Sequence, residues 1–507
     1  MKIGIAALLA VLAFGYGKYR DKPSTTDSAQ STSGKFRIAA GAETFRFGTL
    51  DFKPCELKRE HSAATTKAWC SPFQVPENRA DKNSRKLDLK FALIPSSQAA
   101  DDDFIVYLAG GPGQSAVDTW PQMADALGPA RKHRHVLLLD QRGTGASNPL
   151  KCKREDEDSL PFNLERTAAS TRQCLQEVSA HADPRFYTTT DAVEDLEALR
   201  QALGAPKFDL VGVSYGTRVA QQYLKRHPDG VRSIVLDSVA PNELVLGAEF
   251  ARNLDDALKA QFAKCAKQAD CAKTFPDPYA DLFKLRKALT DSPRKVSYAD
   301  PVSFEQKTET LNGDSMVGLV RMFAYAPETA ALLPHTIEQS LAGNDAPLLG
   351  QIGILSQGIE DLVGSGLQLS VICSEDADRL QPNKADVDTL LGDRMVTVLK
   401  AQCEIWPHGE KPADFNEPVK GDTPILVLEG ELDPVTPPRY GEQVMKHLDN
   451  AKLIVAKGQG HNVIGRGCMP KLVSEFMDTL APKALDAACV DELGPTPYFL
   501  DFNGAAP

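Results

Sequence analysis

Side chains that could carry out nucleophilic catalysis occur in this chain in the order Ser214, Asp433 and His461. Ser214 lies at the centre of Gly-Val-Ser-Tyr-Gly, a Gly-x-Ser-x-Gly motif at residues 212–216. In a turn between a strand and a helix, this motif holds a serine hydroxyl at the end of a sheet. A histidine can take the hydroxyl proton, and an aspartate can orient the imidazole and stabilise its charged form. The sequence therefore predicts Ser214 as nucleophile, His461 as general base and Asp433 as the acid that holds it.

Each member of this triad also has an ordinary structural explanation. Glycine and serine are common in plain turns, the dipeptide Asp433-Pro434 is typical of turns, and a histidine beside glycine is common in loops. Glu431, two residues before Asp433, is a rival acid. The joint order of the three residue types, each just after an expected strand, favours the triad.

An apolar run typical of a buried strand precedes each of the three residues, at 208–213, 424–430 and 451–456. A stretch of helical spacing, residues 218–227, follows the serine and stops at a proline. Serine, acid and histidine in this order, each at the carboxyl end of a strand, is the arrangement of the α/β-hydrolase fold. Alternation of buried strands with helices predicts the α/β class, with a mostly parallel, doubly wound sheet.

The backbone N–H groups of Gly111 and Tyr215 are the predicted oxyanion hole. Residues 104–108 form a continuous apolar run that ends in Ala-Gly-Gly-Pro-Gly at 109–113. Glycines there let the backbone approach a substrate carbonyl, and Tyr215 follows the nucleophile directly. A plain turn at 110–113 is the alternative.

The alternation of strand and helix patterns stops at about residue 246 and resumes at about residue 420. Helical spacing without strand alternation predicts a largely helical cap inserted into the sheet domain. Near the start, residues 45–52 are expected as a first strand and residues 69–79 as a loop. The predicted layout is an export signal at 1–17, a flexible lead-in at 18–43, the first part of the hydrolase domain at 44–245, the cap at 246–420 and the second part at 421–507.

Composition and charge exclude several classes of partner. The 507 residues carry a net charge of −11, which disfavours nucleic acid and anionic membrane surfaces. There is no Walker loop, and Gly143-Thr144-Gly145 lacks the third glycine of a dinucleotide fingerprint. The predicted chemistry needs no cofactor and no metal. The sequence does not indicate an oligomeric state.

The first 17 residues are typical of an export signal. Lys2 provides the positive start, residues 3–14 form a short apolar core, and small residues follow. The run is short for a bilayer span, and an uncleaved N-terminal anchor is the alternative. The sequence therefore predicts an exported protein, periplasmic or secreted, without other stable membrane association.

Ten cysteines fit an exported protein better than a zinc protein. Their number is even, and the chain contains no Cys-x-x-Cys motif, so disulfides are favoured over metal binding. Sequence does not fix the pairing. The simplest hypothesis joins neighbours in the chain, which gives Cys55–Cys70, Cys152–Cys174, Cys265–Cys271, Cys373–Cys403 and Cys468–Cys489.

Five motifs resemble the proline iminopeptidase and tripeptidyl aminopeptidase group of α/β-hydrolases. They are Gly-Gly-Pro-Gly at 110–113, Asp-Gln-Arg-Gly-Thr-Gly at 140–145, Gly-Val-Ser-Tyr-Gly-Thr at 212–217, Asp-Pro-Val-Thr-Pro at 433–437 and Gly-x-Gly-His at 458–461. The secreted tripeptidyl-aminopeptidase branch is the more similar, since it shares the cysteine-bearing layout and Val-Pro-Glu-Asn-Arg at 75–79. Ala109 stands where proline iminopeptidases usually carry histidine.

The resemblance implies a peptidase that recognises a free peptide N-terminus. Members of this group bind the substrate amine with cap carboxylates, and here Glu375 and then Asp376 are the candidates. A solvated acidic loop beside a disulfide is the alternative. We therefore expect an exported serine aminopeptidase acting through an acyl-enzyme, with an esterase or lactonase as the rival and a non-catalytic binding protein as the remote one.

Overall fold

The computed structural model describes residues 43–58, 65–98, 103–152, 163–301, 303–360 and 365–504. The predicted export signal at 1–17 and the lead-in as far as residue 42 lie outside the described residues. None of the helices described is both long enough and apolar enough to cross a membrane.

One ten-stranded sheet organises the molecule. Its strands are β1 (Phe45–Phe47), β2 (Leu50–Lys58), β3 (Thr65–Pro76), β4 (Lys86–Ile94), β5 (Phe104–Leu108), β6 (His135–Leu139), β7 (Phe208–Val213), β8 (Val231–Asp237), β11 (Ile425–Gly430) and β12 (Ala451–Ala456). Their order across the sheet is β1-β2-β3-β4-β6-β5-β7-β8-β11-β12. The first strands pair antiparallel, and the six from β6 to β12 pair parallel. β7, from which Ser214 extends, is therefore central and buried along its whole length.

Helices fill both faces of the sheet and the segment between β8 and β11. Before that segment lie α1 (Ala116–Met123), α2 (Leu164–Ser179), α3 (Thr189–Leu203) and α4 (Tyr215–Arg226). Within it lie α5 (Phe250–Cys265), α6 (Ala269–Thr274), α7 (Pro278–Asp291), α8 (Gly313–Phe323), α9 (Pro327–Ala330), α10 (Leu333–Leu341), α11 (Ala346–Glu360), α12 (Ser365–Glu375) and α13 (Arg394–Cys403). After it follow α14 (Pro438–Met445) and α15 (Met469–Thr479).

The start of the chain differs from the expectation in two places. The expected single strand at 45–52 is a hairpin, because Gly48, at φ +59°, turns the chain between β1 and β2. The loop expected at 69–79 is wrong for most of its length, since β3 runs to Pro76. Its prolines are tolerated because β2 pairs only with Thr65–Cys70, so that beyond Cys70 no strand among the described residues pairs with that side of β3.

The segment from 246 to 420 contains two packing units. Helices α5, α7, α8, α10 and α11 share a separate core with a two-stranded hairpin, β9 (Arg294–Ala299) and β10 (Gln306–Leu311). In contrast, most buried apolar residues from Leu367 to Val419 belong to the same core as the sheet, although Leu390 packs in the first unit. Below, "the cap" means the first unit, residues 250–354.

Five disulfides join the ten cysteines as neighbours in the chain. The pairs are Cys55–Cys70, Cys152–Cys174, Cys265–Cys271, Cys373–Cys403 and Cys468–Cys489. These are the pairs of the nearest-neighbour hypothesis. Five disulfides are typical of proteins that fold in an oxidising compartment outside the cytoplasm.

Candidate active site

Ser214 occupies a strained turn between β7 and α4. Its backbone angles are φ 55° and ψ −123°, outside the regions that a non-glycine residue normally adopts. A Cβ on Gly216 would lie 2.1 Å from the Leu108 carbonyl oxygen, and one on Gly212 would lie 2.5 Å from the Gly216 oxygen. Gly216 must be glycine because the start of α4 packs directly against the end of β5, and Gly212 must be glycine because it lies against the main chain of the first turn of α4. The turn places Ser214 at the carboxyl end of the central strand.

Asp433 and His461 are in direct contact. Asp433 Oδ2 lies 2.7 Å from His461 Nδ1. The other oxygen of Asp433, Oδ1, accepts hydrogen bonds from the backbone N–H groups of Val435 and Thr436, each at 2.8 Å. Because Nδ1 is engaged with the carboxylate, Nε2 is the ring nitrogen left for a serine hydroxyl. The rival acid Glu431 instead pairs with Lys264 at 3.0 Å and accepts the Gly458 N–H.

The end of β8 joins the serine turn to the histidine loop. Ser214 N donates to the carbonyl oxygen of Asp237 at 2.9 Å. The carboxylate of Asp237 accepts the N–H groups of Val463 at 2.9 Å and Ile464 at 3.2 Å. Ser238 Oγ accepts the N–H of Asn462 at 2.8 Å. Asp237 therefore holds both segments, although no sequence motif marked it; its only signal is an acid directly after the apolar run Ile234–Leu236.

Charges around His461 raise its pKa. Burial lowers this pKa, but the carboxylate of Asp433, its hydrogen bond and the charge of Asp237 outweigh that effect. Burial raises the pKa of Asp237 to about 6 against its two backbone hydrogen bonds. Glu429, fully buried beside them, has its pKa raised well above the usual value by burial and then by Asp433. The raised pKa favours the neutral form of Glu429, and Asp433 is the carboxyl group that contacts the imidazole directly, at Nδ1.

The predicted oxyanion residues lie beside the serine turn. Tyr215 is the first residue of α4, and the first N–H groups of a helix have no partner within it. Gly111 has φ +108°, which favours glycine. A Cβ on the preceding Gly110 would lie 3.1 Å from Ser214 Cβ, so this loop runs directly past the nucleophile.

Asp376 is not available to a substrate amine, which corrects the expectation for it. It is fully buried and pairs with Arg218 at 2.8 Å and with Arg379 at 2.6 Å. Its Oδ2 also accepts the N–H of Leu246 at 3.2 Å. The sequence showed the acid but gave no sign of the two arginines, of which one comes from α4.

Glu375 is also enclosed by protein groups rather than open to a cleft. It is fully buried, and its oxygens accept the N–H of Thr189 at 2.6 Å and the Thr189 hydroxyl at 3.0 Å. That hydroxyl lies 2.7 Å from the Tyr215 hydroxyl, so Glu375 supports the residue next to the nucleophile. Burial raises the pKa of Glu375 to about 7, against the nearby Arg218. In this conformation neither predicted carboxylate can contact a substrate amine directly.

Asp237→Asn is expected to lower kcat about tenfold, because an amide replaces two hydrogen-bond acceptors by one acceptor and one misplaced donor. The acid limb of the kcat/KM profile should also move to lower pH. The neutral form of His461 is the active base, the Asp237 charge raises the His461 pKa, and removing that charge lowers it. Activity profiles on an uncharged substrate measure the shift. A limb that stays in place or moves to higher pH contradicts the role of Asp237.

Comparison with known proteins agrees with this fold and site. A family model described as "alpha/beta hydrolase fold" matches residues 103–314, and one described as "TAP-like protein" matches residues 388–489. Together with the sheet order and the serine turn, these matches show that the chain is a hydrolase of the α/β-hydrolase fold. The predicted resemblance to the tripeptidyl aminopeptidase group is confirmed by the TAP-like match and by a relative of that name.

Curated relatives cover most of the chain at low identity. "Serine protease Hip1" of Mycobacterium tuberculosis is 24% identical and covers 84% of this chain and 88% of its own length. "Tripeptidyl aminopeptidase" of Streptomyces coelicolor is 24% identical and covers 84% of each chain. "Carboxylesterase B" of M. tuberculosis is 26% identical and covers 85% of this chain and 89% of its own.

Proposed function

We propose that this chain is an exported serine peptidase that releases residues or short peptides from free peptide N-termini. The contact between Asp433 and His461, on loops tied to the Ser214 turn through Asp237, is the observation that carries the proposal. The TAP-like match and the relatives named as a serine protease and a tripeptidyl aminopeptidase favour a peptide substrate. Five disulfides support export to the periplasm or the medium.

The proposed reaction proceeds in two steps. His461 Nε2 takes the hydroxyl proton of Ser214 while Oγ attacks the scissile carbonyl carbon. The N–H groups of Tyr215 and Gly111 stabilise the resulting oxyanion, and collapse breaks the C–N bond as the amine leaves with the proton from His461. Water, deprotonated by the same histidine, then attacks the acyl carbon; the bond to Ser214 Oγ breaks, Oγ takes the proton back from His461, and the N-terminal fragment leaves as a carboxylic acid. Asp433 stabilises the imidazolium through its contact with Nδ1.

An esterase or lactonase is the second candidate function. The same groups cleave esters, and the relative named "Carboxylesterase B" matches as much of the chain as the peptidases do. A non-catalytic binding protein is a remote third candidate, and the contact of Asp433 with His461 argues against it, because a binding protein has no use for that pair.

A matched substrate panel separates peptidase from esterase. We expect free tripeptidyl and aminoacyl chromogenic amides to be cleaved, and the same peptides with an acetylated N-terminus to have a kcat/KM lower by ~10² or more, because acetylation removes the ammonium charge. Simple chromogenic esters are the control for an active nucleophile. Equal cleavage of free and acetylated peptides, or turnover of esters alone, overturns the aminopeptidase proposal.

Glu375→Gln separates support of Tyr215 from direct recognition of the amine. Because Glu375 is buried against Thr189, we expect the substitution to lower kcat/KM by the same factor, about three- to tenfold, for a free peptide and for an uncharged ester. The ratio of the two kcat/KM values is the measurement. A loss confined to free-amine substrates would instead mean that the site opens and that Glu375 binds the amine.

A further inference from the structure

The cap touches the proposed general base itself. Tyr325, two residues after the end of α8, accepts a hydrogen bond from the backbone N–H of His461 at 2.7 Å. Its ring meets the imidazole edge to face, with centroids 5.2 Å apart and planes at 75°. One cap residue therefore contacts both the main chain and the side chain of His461.

Gly460 lets the cap segment approach the histidine loop this closely. A Cβ on Gly460 would lie 2.2 Å from the Tyr325 carbonyl oxygen and 3.5 Å from that of Ala324, so only glycine lets the two segments approach. A second tie lies nearby, where Arg466 forms a two-pronged ion pair with Glu328 at 2.5 and 3.1 Å. The cap segment and the histidine loop thus meet at two independent points.

On the cap side of this contact, α8 is a capped helix that packs against the cap core. α8 begins at a capping box on Asn312, and its apolar face, including Met316, Val320 and Phe323, is buried in the cap core. Tyr325 follows directly from that helix and is itself only partly exposed. The packing of α8 therefore places the ring and the carbonyl oxygen of Tyr325 against His461.

We propose that Tyr325 is a positioning residue for His461, an inference that rests on the proposed serine hydrolase function. Asp433 Oδ2, at 2.7 Å, and the Thr436 hydroxyl, at 3.3 Å, both contact the imidazole at Nδ1, and these contacts leave the tilt of the ring about Nδ1 to be fixed by packing. The ring of Tyr325 supplies that packing through its edge-to-face contact with the imidazole. Such ring pairs have a preferred geometry, so the contact favours one tilt of the imidazole. The ring, rather than the phenol hydroxyl, is the part that acts. The cap therefore takes part in orienting the base that activates Ser214.

Three substitutions at one position test this role. Tyr325→Phe keeps the ring and should retain kcat within about twofold, whereas Tyr325→Ala and Tyr325→Leu should lower kcat about tenfold with KM changed by less than about twofold. Tyr325→Leu keeps apolar bulk, so it remains informative where the alanine variant folds poorly. Tyr279→Ala is the matched control, because Tyr279 is a cap tyrosine on α7 that packs on Phe283 and bonds to Asp255.

Each outcome of this experiment decides the inference. Loss of kcat in the alanine and leucine variants, rescue by phenylalanine and a normal Tyr279→Ala enzyme support it. It is overturned by full activity of Tyr325→Leu, by equal loss in Tyr325→Phe, or by a change in KM alone, which would indicate substrate contact. A wild-type protein that cleaves neither amides nor esters would refute the proposed function instead, so the two failures are distinguishable.

Discussion

Ser214→Ala is expected to lower kcat by ~10⁴ or more while the protein stays folded. The hydroxyl is the atom group that forms the acyl-enzyme, and nothing else in the turn can replace it. The backbone of Ser214 is held in place by other main-chain groups. Its N–H donates to the carbonyl oxygen of Asp237, and the glycines at 212 and 216 allow the surrounding main chain to pack closely. Loss of the hydroxyl should therefore leave the turn in place.

Steady-state kinetics on the best substrate of the panel, with thermal unfolding as the check on folding, measure this effect. Ser233→Ala is a matched control, because Ser233 is a buried serine on the neighbouring strand β8 whose hydroxyl bonds to Asp209, at the end of β7 away from Ser214. Turnover near the wild-type rate in Ser214→Ala would rule out the proposed nucleophile.

Asp433→Asn should be almost as damaging, with a loss in kcat of ~10⁴. The amide can present a donor rather than an acceptor to His461 Nδ1, so the ring would take the tautomer that places a proton on Nε2. That tautomer cannot accept the Ser214 proton. Removal of the carboxylate also lowers the pKa of His461, since the Asp433 charge and hydrogen bond are what raise it.

Glu431→Gln is the paired control for this experiment. Glu431 is two residues away, but it bonds to Lys264 and to the Gly458 N–H rather than to the imidazole. We expect its substitution to change kcat by less than ~10-fold, because a glutamine oxygen can still accept that N–H. If Glu431→Gln is the variant that loses activity and Asp433→Asn is not, the acid has been assigned to the wrong residue.

The parts of the site that sequence could predict are those carried by local patterns. The Gly-x-Ser-x-Gly motif is recognisable from a few consecutive residues, although Gly216 also faces the distant Leu108, and the strand before the motif runs over Phe208–Val213 as its apolar pattern indicated. Asp433 was located because it follows a buried strand, and the structure brings it to His461. Cysteines that are close in the chain pair with each other because a short segment between them keeps the two side chains near one another.

The parts that sequence missed depend on contacts between distant segments. Asp237 is an ordinary strand-end acid until the fold brings Val463 and Ile464 to its carboxylate. Asp376 gave the pattern of an amine-binding acid, but Arg218, 158 positions earlier, already pairs with it. Tyr325 lies in a cap without any recognisable motif, and only the packed structure shows that it reaches His461.

Covalent labelling of the intact enzyme tests the central claim most directly. A fluorophosphonate reacts with a serine only where a base activates the hydroxyl and an oxyanion hole stabilises the product. Mass spectrometry of the digested protein should find one phosphonyl group per chain, on the peptide that contains Ser214, and none after His461→Ala. Label on a different serine, or no label on a folded wild-type protein, would contradict the account.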